Sequence, residues 1–378
     1  MKIDIIGAGI GGLTTALCLQ QSGHTPTIYE SASEIKPVGA GIIMASNAMQ
    51  IFEKIGVRKE IENVGYGVSS VHITDNELKI ISETHLTRFE QKYNVRNIAI
   101  HRADLQNILA KKVGFENIEL SKHLLRIEKN NKEILLHFID KDTKCSNVLL
   151  AVDGIHSVVR KQLFDETIIR NTQQKCWRGI CEFNLPPKYK YKAFELWGKG
   201  KRFGFVQISE NKIYWYAVIN AHLIQKKNSI LQMFQEFHRD ALALIEATPQ
   251  EAIIFNDIID LQPIDKWHKN NICLLGDAAH ATTPNMGQGA CQAVEDAFIL
   301  GELFKNDKNI EQIFTEYEKI RRKKVNHIVK TSWNIGKVAH FENNFAIWLR
   351  NKLLKMVPQS VNEKQLDKIF SIDRINLK

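Results

Sequence analysis

A few residues into the chain, the apolar run Lys2 to Ile6 gives way to Gly7-Ala8-Gly9-Ile10-Gly11-Gly12. No other feature narrows the possible folds so much. Lys2 to Ile6 suits a buried parallel strand. Leu13 to Ser22 reads as an amphipathic helix ending at Gly23, and Thr25 to Tyr29 as a second strand ending at Glu30. Strand, GxGxxG, helix, strand and acid, in that order, make a dinucleotide-binding unit. Gly7 permits the turn, Gly9 lets the backbone approach a pyrophosphate, and Gly12 lets the helix pack on the strand. The helix start offers N–H groups and a positive dipole end to the phosphates. Glu30 can accept hydrogen bonds from both ribose hydroxyls and would repel a 2′-phosphate. A steric turn in an unrelated sheet is the competing reading, and the motif alone does not separate FAD from NAD.

Two later segments repeat the design. Leu149 to Val152 is an apolar strand that delivers a turn at Asp153-Gly154 and then a helix with Ser157 near its start. Asn271 to Leu275 leads through Gly276-Asp277-Ala278-Ala279-His280 and Pro284-Asn285-Met286 to Gly287-Gln288-Gly289, with a helix expected from about Ala290 to Phe304. Asp277 is an acceptor at a strand end, where open α/β sheets bind ligands. The helix start at Gly287-Gln288-Gly289 presents donors able to stabilise negative charge on a flavin ring. Taken singly, each segment also reads as an ordinary αβ loop.

Together the three segments resemble the group A flavoprotein monooxygenases, the aromatic hydroxylases with a p-hydroxybenzoate-hydroxylase-like fold, over nearly the whole chain. The Glu34-Ile35-Lys36-Pro37-Val38-Gly39 segment and the run Gly287 to Ala297 look closest to the branch with urate hydroxylase, salicylate-type hydroxylases and zeaxanthin epoxidase. The resemblance implies that Gly7, Gly9, Gly12 and Glu30 hold the ADP half of FAD, and that Asp277 binds the ribityl chain. It brings Gly276, Pro284, Gly287 and Gly289 to the cofactor as part of the third motif. It sets the Asp153-Gly154 turn against FAD and a transient NADH or NADPH. It adds Gly39-Ala40-Gly41-Ile42, and Arg102 approaching the FAD phosphates, where a surface salt bridge is the alternative. The pattern is broken in two places: the pair Ala151-Val152 precedes the Asp-Gly turn, and Gln207 stands where the branch often has proline.

The motifs lie more than about a hundred residues apart, so an α/β, Rossmann-like FAD-binding domain is expected to be discontinuous, at 1–67, 97–170 and 265–340. Residues 68–96 and 171–264 read as an inserted antiparallel-sheet substrate domain, with aromatic-rich strands at Lys192 to Trp197, Arg202 to Ile208 and Lys212 to Ile219. A long helix is expected from about Asn309 to His340, and 341–378 as a C-terminal helical segment. Within it, Phe345 to Met356 is amphipathic and basic. It reads as a helix covering its own domain, with a membrane surface as the alternative.

The net charge of +9 is spread along the chain, which argues against a nucleic-acid face. Its densest cluster, Arg321-Arg322-Lys323-Lys324, reads as a solvated helix face. Six cysteines without metal-ligand or CxxC spacing suit free thiols in a reducing compartment. With no signal peptide and no transmembrane segment, a cytoplasmic monomer or homodimer is expected.

The resemblance implies a single-component monooxygenase that uses NAD(P)H and O₂ to hydroxylate a small aromatic or heteroaromatic substrate through a flavin C4a-hydroperoxide. A flavin epoxidase, a flavin oxidase and a non-catalytic FAD-binding redox sensor are the alternatives. The branch pattern assigns substrate contact to Arg202 and Tyr214. The competing reading is Arg202 paired with a surface acid and the tyrosines packing the sheet.

Overall fold

The computed structural model describes residues 1–35, 40–130, 133–164, 167–225, 227–306 and 308–373. Gly39 and the Lys36-Pro37-Val38 run before it therefore lie outside the described residues.

The opening strand, Ile3–Ile6, is buried along its whole length. It runs parallel to Thr27–Tyr29 on one side and to Val148–Ala151 on the other, and Ile272–Leu274 continues the parallel set beyond Val148–Ala151. Strand ends from all three glycine-rich segments thus meet on one edge of one sheet. The helix between the first two strands, Ile10–Gln21, begins earlier than the sequence suggests. It is also not amphipathic, because every residue from Ile10 to Leu19 is buried. The sheet covers one side of it and the helix Gly289–Leu303 packs along another, and a helix covered all round has no polar face to show. Gly12 is required here: a Cβ on it would stand 1.9 Å from the Gly7 carbonyl oxygen.

A second, largely antiparallel sheet has the strand order Ile254–Leu261, Ile169–Glu182, Lys212–Asn220, Lys201–Gln207, Lys192–Trp197, Ser70–Asp75, Ile80–His85. Only Lys192–Trp197 and Ser70–Asp75 pair in parallel. Side chains alternate across it. Leu196, Phe203, Phe205, Ile213 and Trp215 form a separate core with Phe234, Phe237 and Leu244. Ala193, Val206 and the ring of Tyr214 pack instead into the core that contains the nucleotide-binding sheet. One face of the sheet therefore looks at the cofactor motifs.

The long helix Ile310–Ala339 starts at an Asn309–Gln312 capping box. Its basic cluster is only in part the solvated face expected from the sequence: Lys323 is exposed, but the cluster's first and last members turn inward. Arg321 is fully buried and bonds Glu295 at 2.7 Å, Asp296 at 2.8 Å and Asp373 at 2.6 Å, while Lys324 joins Glu295 at 2.8 Å. Carboxylates supplied by Gly289–Leu303 and the C-terminal segment turn this stretch inward.

The segment expected to cover its own domain does form a helix, Asn344–Met356, which packs along the edge strand Ile80–His85. The side it turns inward is not its apolar stripe: Arg350 is its one buried residue among those described. A further helix, Gln359–Phe370, returns along the same strand and seats Phe370 against Phe89. No described helix is long and apolar enough to cross a membrane.

Candidate functional site

At the first turn, Gly9 caps the helix Ile10–Gln21 and no atom stands within 4 Å of where its Cβ would be, so the space before the helix start is open. The Glu30 carboxylate, at the end of the second strand, accepts from the Ala8 N–H at 2.7 Å and the Ala32 N–H at 2.9 Å. Gln106 donates to the Ala8 carbonyl at 2.7 Å, so the turn is held from both sides. Arg102 opens the helix Arg102–Val113, is exposed, and donates its N–H to the Ala40 carbonyl at 3.2 Å. The strand Gly41–Met44 runs antiparallel to Asn97–His101, which sets Gly41 opposite His101 and beside Arg102.

Asp153 is used locally. One carboxylate oxygen accepts the Val158 N–H at 2.8 Å, while Ser157 caps Val158–Leu163 through the Arg160 N–H. The other oxygen is buried without a partner. Burial raises this carboxyl above the usual aspartate range, against the pull of the Ser157 hydroxyl and the backbone N–H groups. Gly154 follows with φ +78° and nothing near its Cβ position. Arg160, wholly buried, donates to the Ala278 carbonyl at 2.8 Å and ties the second motif to the third.

In the third motif the Gly276 N–H donates to Asp296 at 3.0 Å, and the same carboxylate oxygen sits 2.5 Å from His280 Nε2. Asp277 next to it is open to solvent, yet the protein walls of the cleft raise its carboxyl, with His280 and Arg102 pulling the other way. Arg102 and Asp277, far apart in sequence, are thus close enough to feel each other. Pro284–Met286 forms a tight turn, Gly287 takes φ +61°, and the helix Gly289–Leu303 begins within a residue of the start expected for it.

Opposite these motifs stands the inner face of the second sheet. Register sets Arg202 beside Val218, Gly204 beside Tyr216 and Val206 beside Tyr214, with Arg178 on the far side of Tyr216. These side chains share one face. A Cβ on Gly204 would overlap the Tyr216 ring, and one on Gly41 would come within 2.4 Å of the Tyr214 ring. Arg202 donates to Glu195 at 2.7 Å and to Asn285 at 2.6 Å, and its Nε is buried without a partner. Its acid is therefore an interior one, and Asn285 belongs to the third motif. Burial pushes both tyrosine hydroxyls above the usual phenol range. Gln207 points to the other face, where it closes the hairpin turn through the Glu210 carbonyl at 2.7 Å.

Residues 1–332 match the family described as FAD binding domain. The chain belongs to the group A flavoprotein monooxygenases. Aurachin C monooxygenase/isomerase of Stigmatella aurantiaca is 35% identical over 94% of each chain. The 2-heptyl-3-hydroxy-4(1H)-quinolone synthase of Pseudomonas aeruginosa is 27% identical over 98% of each. Among solved structures, Klebsiella pneumoniae HpxO with FAD and uric acid is 25% identical, with a TM-score of 0.90 over 98% of this chain and 96% of that one.

The flavoenzyme's own geometry fits the cofactor. Open backbone at Gly9, Gly154 and Gly287 leaves room where a flat dinucleotide would lie, and Asp277 and Arg102 offer an acceptor and a cation beside it. Three residues of the monooxygenase carry no role in the sequence reading. Gln106 lies one helical turn beyond Arg102, a spacing that points both the same way. Arg160 closes the second motif but looks like a surface charge until Ala278 is found beside it. Arg178 is half-buried on the face that carries Arg202 and Tyr216 and has no carboxylate partner among the described residues. No periodic signal in the sequence marks it, because its strand alternates like its neighbours.

Proposed function

We propose that this monooxygenase uses NADH or NADPH with O₂ to hydroxylate a planar, bicyclic heteroaromatic ring of the 4(1H)-quinolone kind. The name of the Pseudomonas relative and the character of the sheet face both support that class. FAD, when bound, stores the reducing electrons and activates the oxygen. Gly7, Gly9, Gly12 and Glu30 hold its ADP half, Arg102 approaches the phosphates, and Asp277 with Gly276 takes the ribityl chain. Gly41, the Asp153-Gly154 turn, Pro284, Gly287 and Gly289 line the remainder, with the helix start at Gly289 facing negative charge on the ring system. Arg202 and Arg178 offer guanidinium forks to a ring oxygen. Tyr214 and Tyr216 stay protonated and can donate or stack, while Val206 and Ile180, which flank Tyr214 on either side in the sheet, keep water from the reacting carbon.

One observation carries the reading: Arg202 bonds Asn285, so the face bearing Arg178, Arg202, Tyr214 and Tyr216 is locked against the third cofactor motif. On this reading 1–67, 97–170 and 265–340 form the FAD-binding part, 68–96 and 171–264 the substrate part, and 341–378 the C-terminal helices. All six cysteines are unpaired and five are buried, which suits the cytoplasm. The test is NAD(P)H consumption by the yellow holoenzyme with 4-quinolones, urate and aromatic acids, products being identified by mass. A quinolone should accelerate consumption at least about tenfold and gain one oxygen atom. Acceleration by urate alone would reassign the substrate, and substrate-independent consumption with stoichiometric peroxide would defeat the hydroxylase reading.

A further inference from the structure

The helix Asn344–Met356 turns its largest apolar side chains to solvent. Phe345 is 68% exposed, Trp348 55%, Leu349 39%, Leu353 55% and Met356 69%. At 100° per residue these five fall on one side of the helix. Phe345 and Trp348 stack at 5.8 Å between ring centroids, so the patch presents a preformed aromatic surface. Just past the helix, Val357 and Val361 are exposed as well. A contiguous apolar stripe of this kind on a charged protein marks a contact surface.

The charges around it state what it contacts. Lys352 lies within the stripe, its ammonium 5.0 Å from the centre of the Trp348 ring, and Lys355 borders it. Lys364 and Lys368 follow on the exposed side of the next helix, together with Val361. None of these four lysines makes an ion pair among the described residues, whereas the nearby acids are engaged. Glu363 pairs with Arg88, Asp367 with Lys92, and Glu342 with Asn220 and His222. The stripe therefore joins exposed aromatics to unneutralised cations on long, flexible stems. A symmetric pairing with a second copy would set lysine against lysine across the contact. An anionic bilayer meets both needs: acyl chains take the aromatic and aliphatic side chains, and the lysines reach out to phosphate headgroups.

We infer that the face of Asn344–Met356 formed by Phe345, Trp348, Leu349, Leu353 and Met356, with Lys352 and Lys355, docks this enzyme on an anionic lipid surface. The attachment is interfacial, since the helix is too short and too basic to span. It does not depend on the substrate proposed above.

Co-flotation of the holoenzyme with vesicles tests it, using equal parts phosphatidylglycerol and phosphatidylcholine against phosphatidylcholine alone. The partition coefficient should be at least about tenfold higher on the anionic vesicles and fall steeply between about 0.1 and 0.5 M salt. Phe345→Ser combined with Met356→Ser should lower it about tenfold or more, and Lys352→Glu with Lys355→Glu should remove the salt dependence. Both variants should keep the FAD content and turnover on a water-soluble substrate, because every altered side chain points outward. Bromine-labelled lipid should quench tryptophan emission in the wild type and much less in Trp348→Phe. Equal partition onto both vesicle types, or an undiminished Phe345/Met356 variant, overturns the inference. A dimer in solution that the same variant dissociates would overturn it too, assigning the face to a second copy.

Discussion

Arg202→Lys separates a residue that clamps the site from one that merely decorates it. The wild-type guanidinium makes two charge-assisted bonds in different directions, to Glu195 at 2.7 Å and to Asn285 at 2.6 Å. A lysine ammonium ends on a narrower, differently shaped tip and can keep one of them, Glu195 being the charged partner. Losing the other removes a hydrogen bond to a charged group, which contributes about 1.5–3 kcal/mol. Taking about 2 kcal/mol, and an unfolding entropy of about 2.1 cal/mol/K per residue, the melting temperature should fall by about 2–3 °C. Function should suffer more than stability. Asn285 sits in the turn before Gly287, so releasing it loosens the face bearing Arg202 and Tyr214 from the third glycine-rich motif, and misplacement of this kind costs up to about a hundredfold in rate. The assay is hydroxylated product formed per NAD(P)H consumed, with FAD content measured alongside. FAD content should stay at the wild-type level while coupling falls. Asn285→Ala tests the same clamp from the other end. If it matches Arg202→Lys, the bond to the turn is what matters; if it leaves coupling intact, the loss belongs to direct contact between Arg202 and substrate through the partnerless Nε. Wild-type coupling and melting in Arg202→Lys would refute the clamp.

Three other outcomes follow from the structure. Glu30→Ala should weaken FAD binding by about 1–3 kcal/mol, measured by titrating apoprotein, because the turn loses the acceptor that holds the Ala8 and Ala32 N–H groups. Arg321→Met should cost about 3–5 kcal/mol in denaturant unfolding, since the buried Glu295 and Asp296 would lose their shared guanidinium and keep only Lys324 and His280, and adding Glu295→Gln should restore part of it. Acid should destabilise the fold below about pH 6.5, the unfolded histidine value. Burial holds His340 and His72 below that value, so their neutral forms favour folding above it and the advantage is lost as pH falls; a His340→Asn variant with an unchanged melting-temperature slope between pH 7.5 and 5.5 would contradict this.

The parts of the molecule legible in sequence were those governed by local chemistry. Gly12 has to be glycine because the Gly7 carbonyl occupies its Cβ position, and the same close approach dictates the strand before it and the helix after it. The hairpin from Lys201 to Asn220 was legible because period-two alternation fixes which side chains share a face, and Arg202, Tyr214 and Tyr216 do share one. What stayed hidden depends on partners from distant segments. Glu295 and Asp296 look like the polar side of an ordinary helix, and Arg321 like a solvated charge, until the two helices cross and bury all three. Arg202 shows the same limit on a smaller scale: alternation sets its face, but only the fold reveals that Asn285 waits on the other side.

The helix Asn344–Met356 inverts the usual inference altogether. Amphipathic spacing says that one stripe wants to leave water, and burial against the same chain is the commonest way to do so. Here the helix turns Arg350 inward, where its guanidinium donates to the Ala339 carbonyl at 3.1 Å and stacks over Trp197 at 4.9 Å. That anchor fixes the rotation of the helix, and the rotation leaves Phe345, Trp348 and Met356 outside. A single buried arginine, held by helix-end carbonyls and an aromatic face although its Nη2 keeps no partner among the described residues, thus fixes the side on which the apolar stripe lies and leaves that stripe to a surface beyond the molecule rather than its own core.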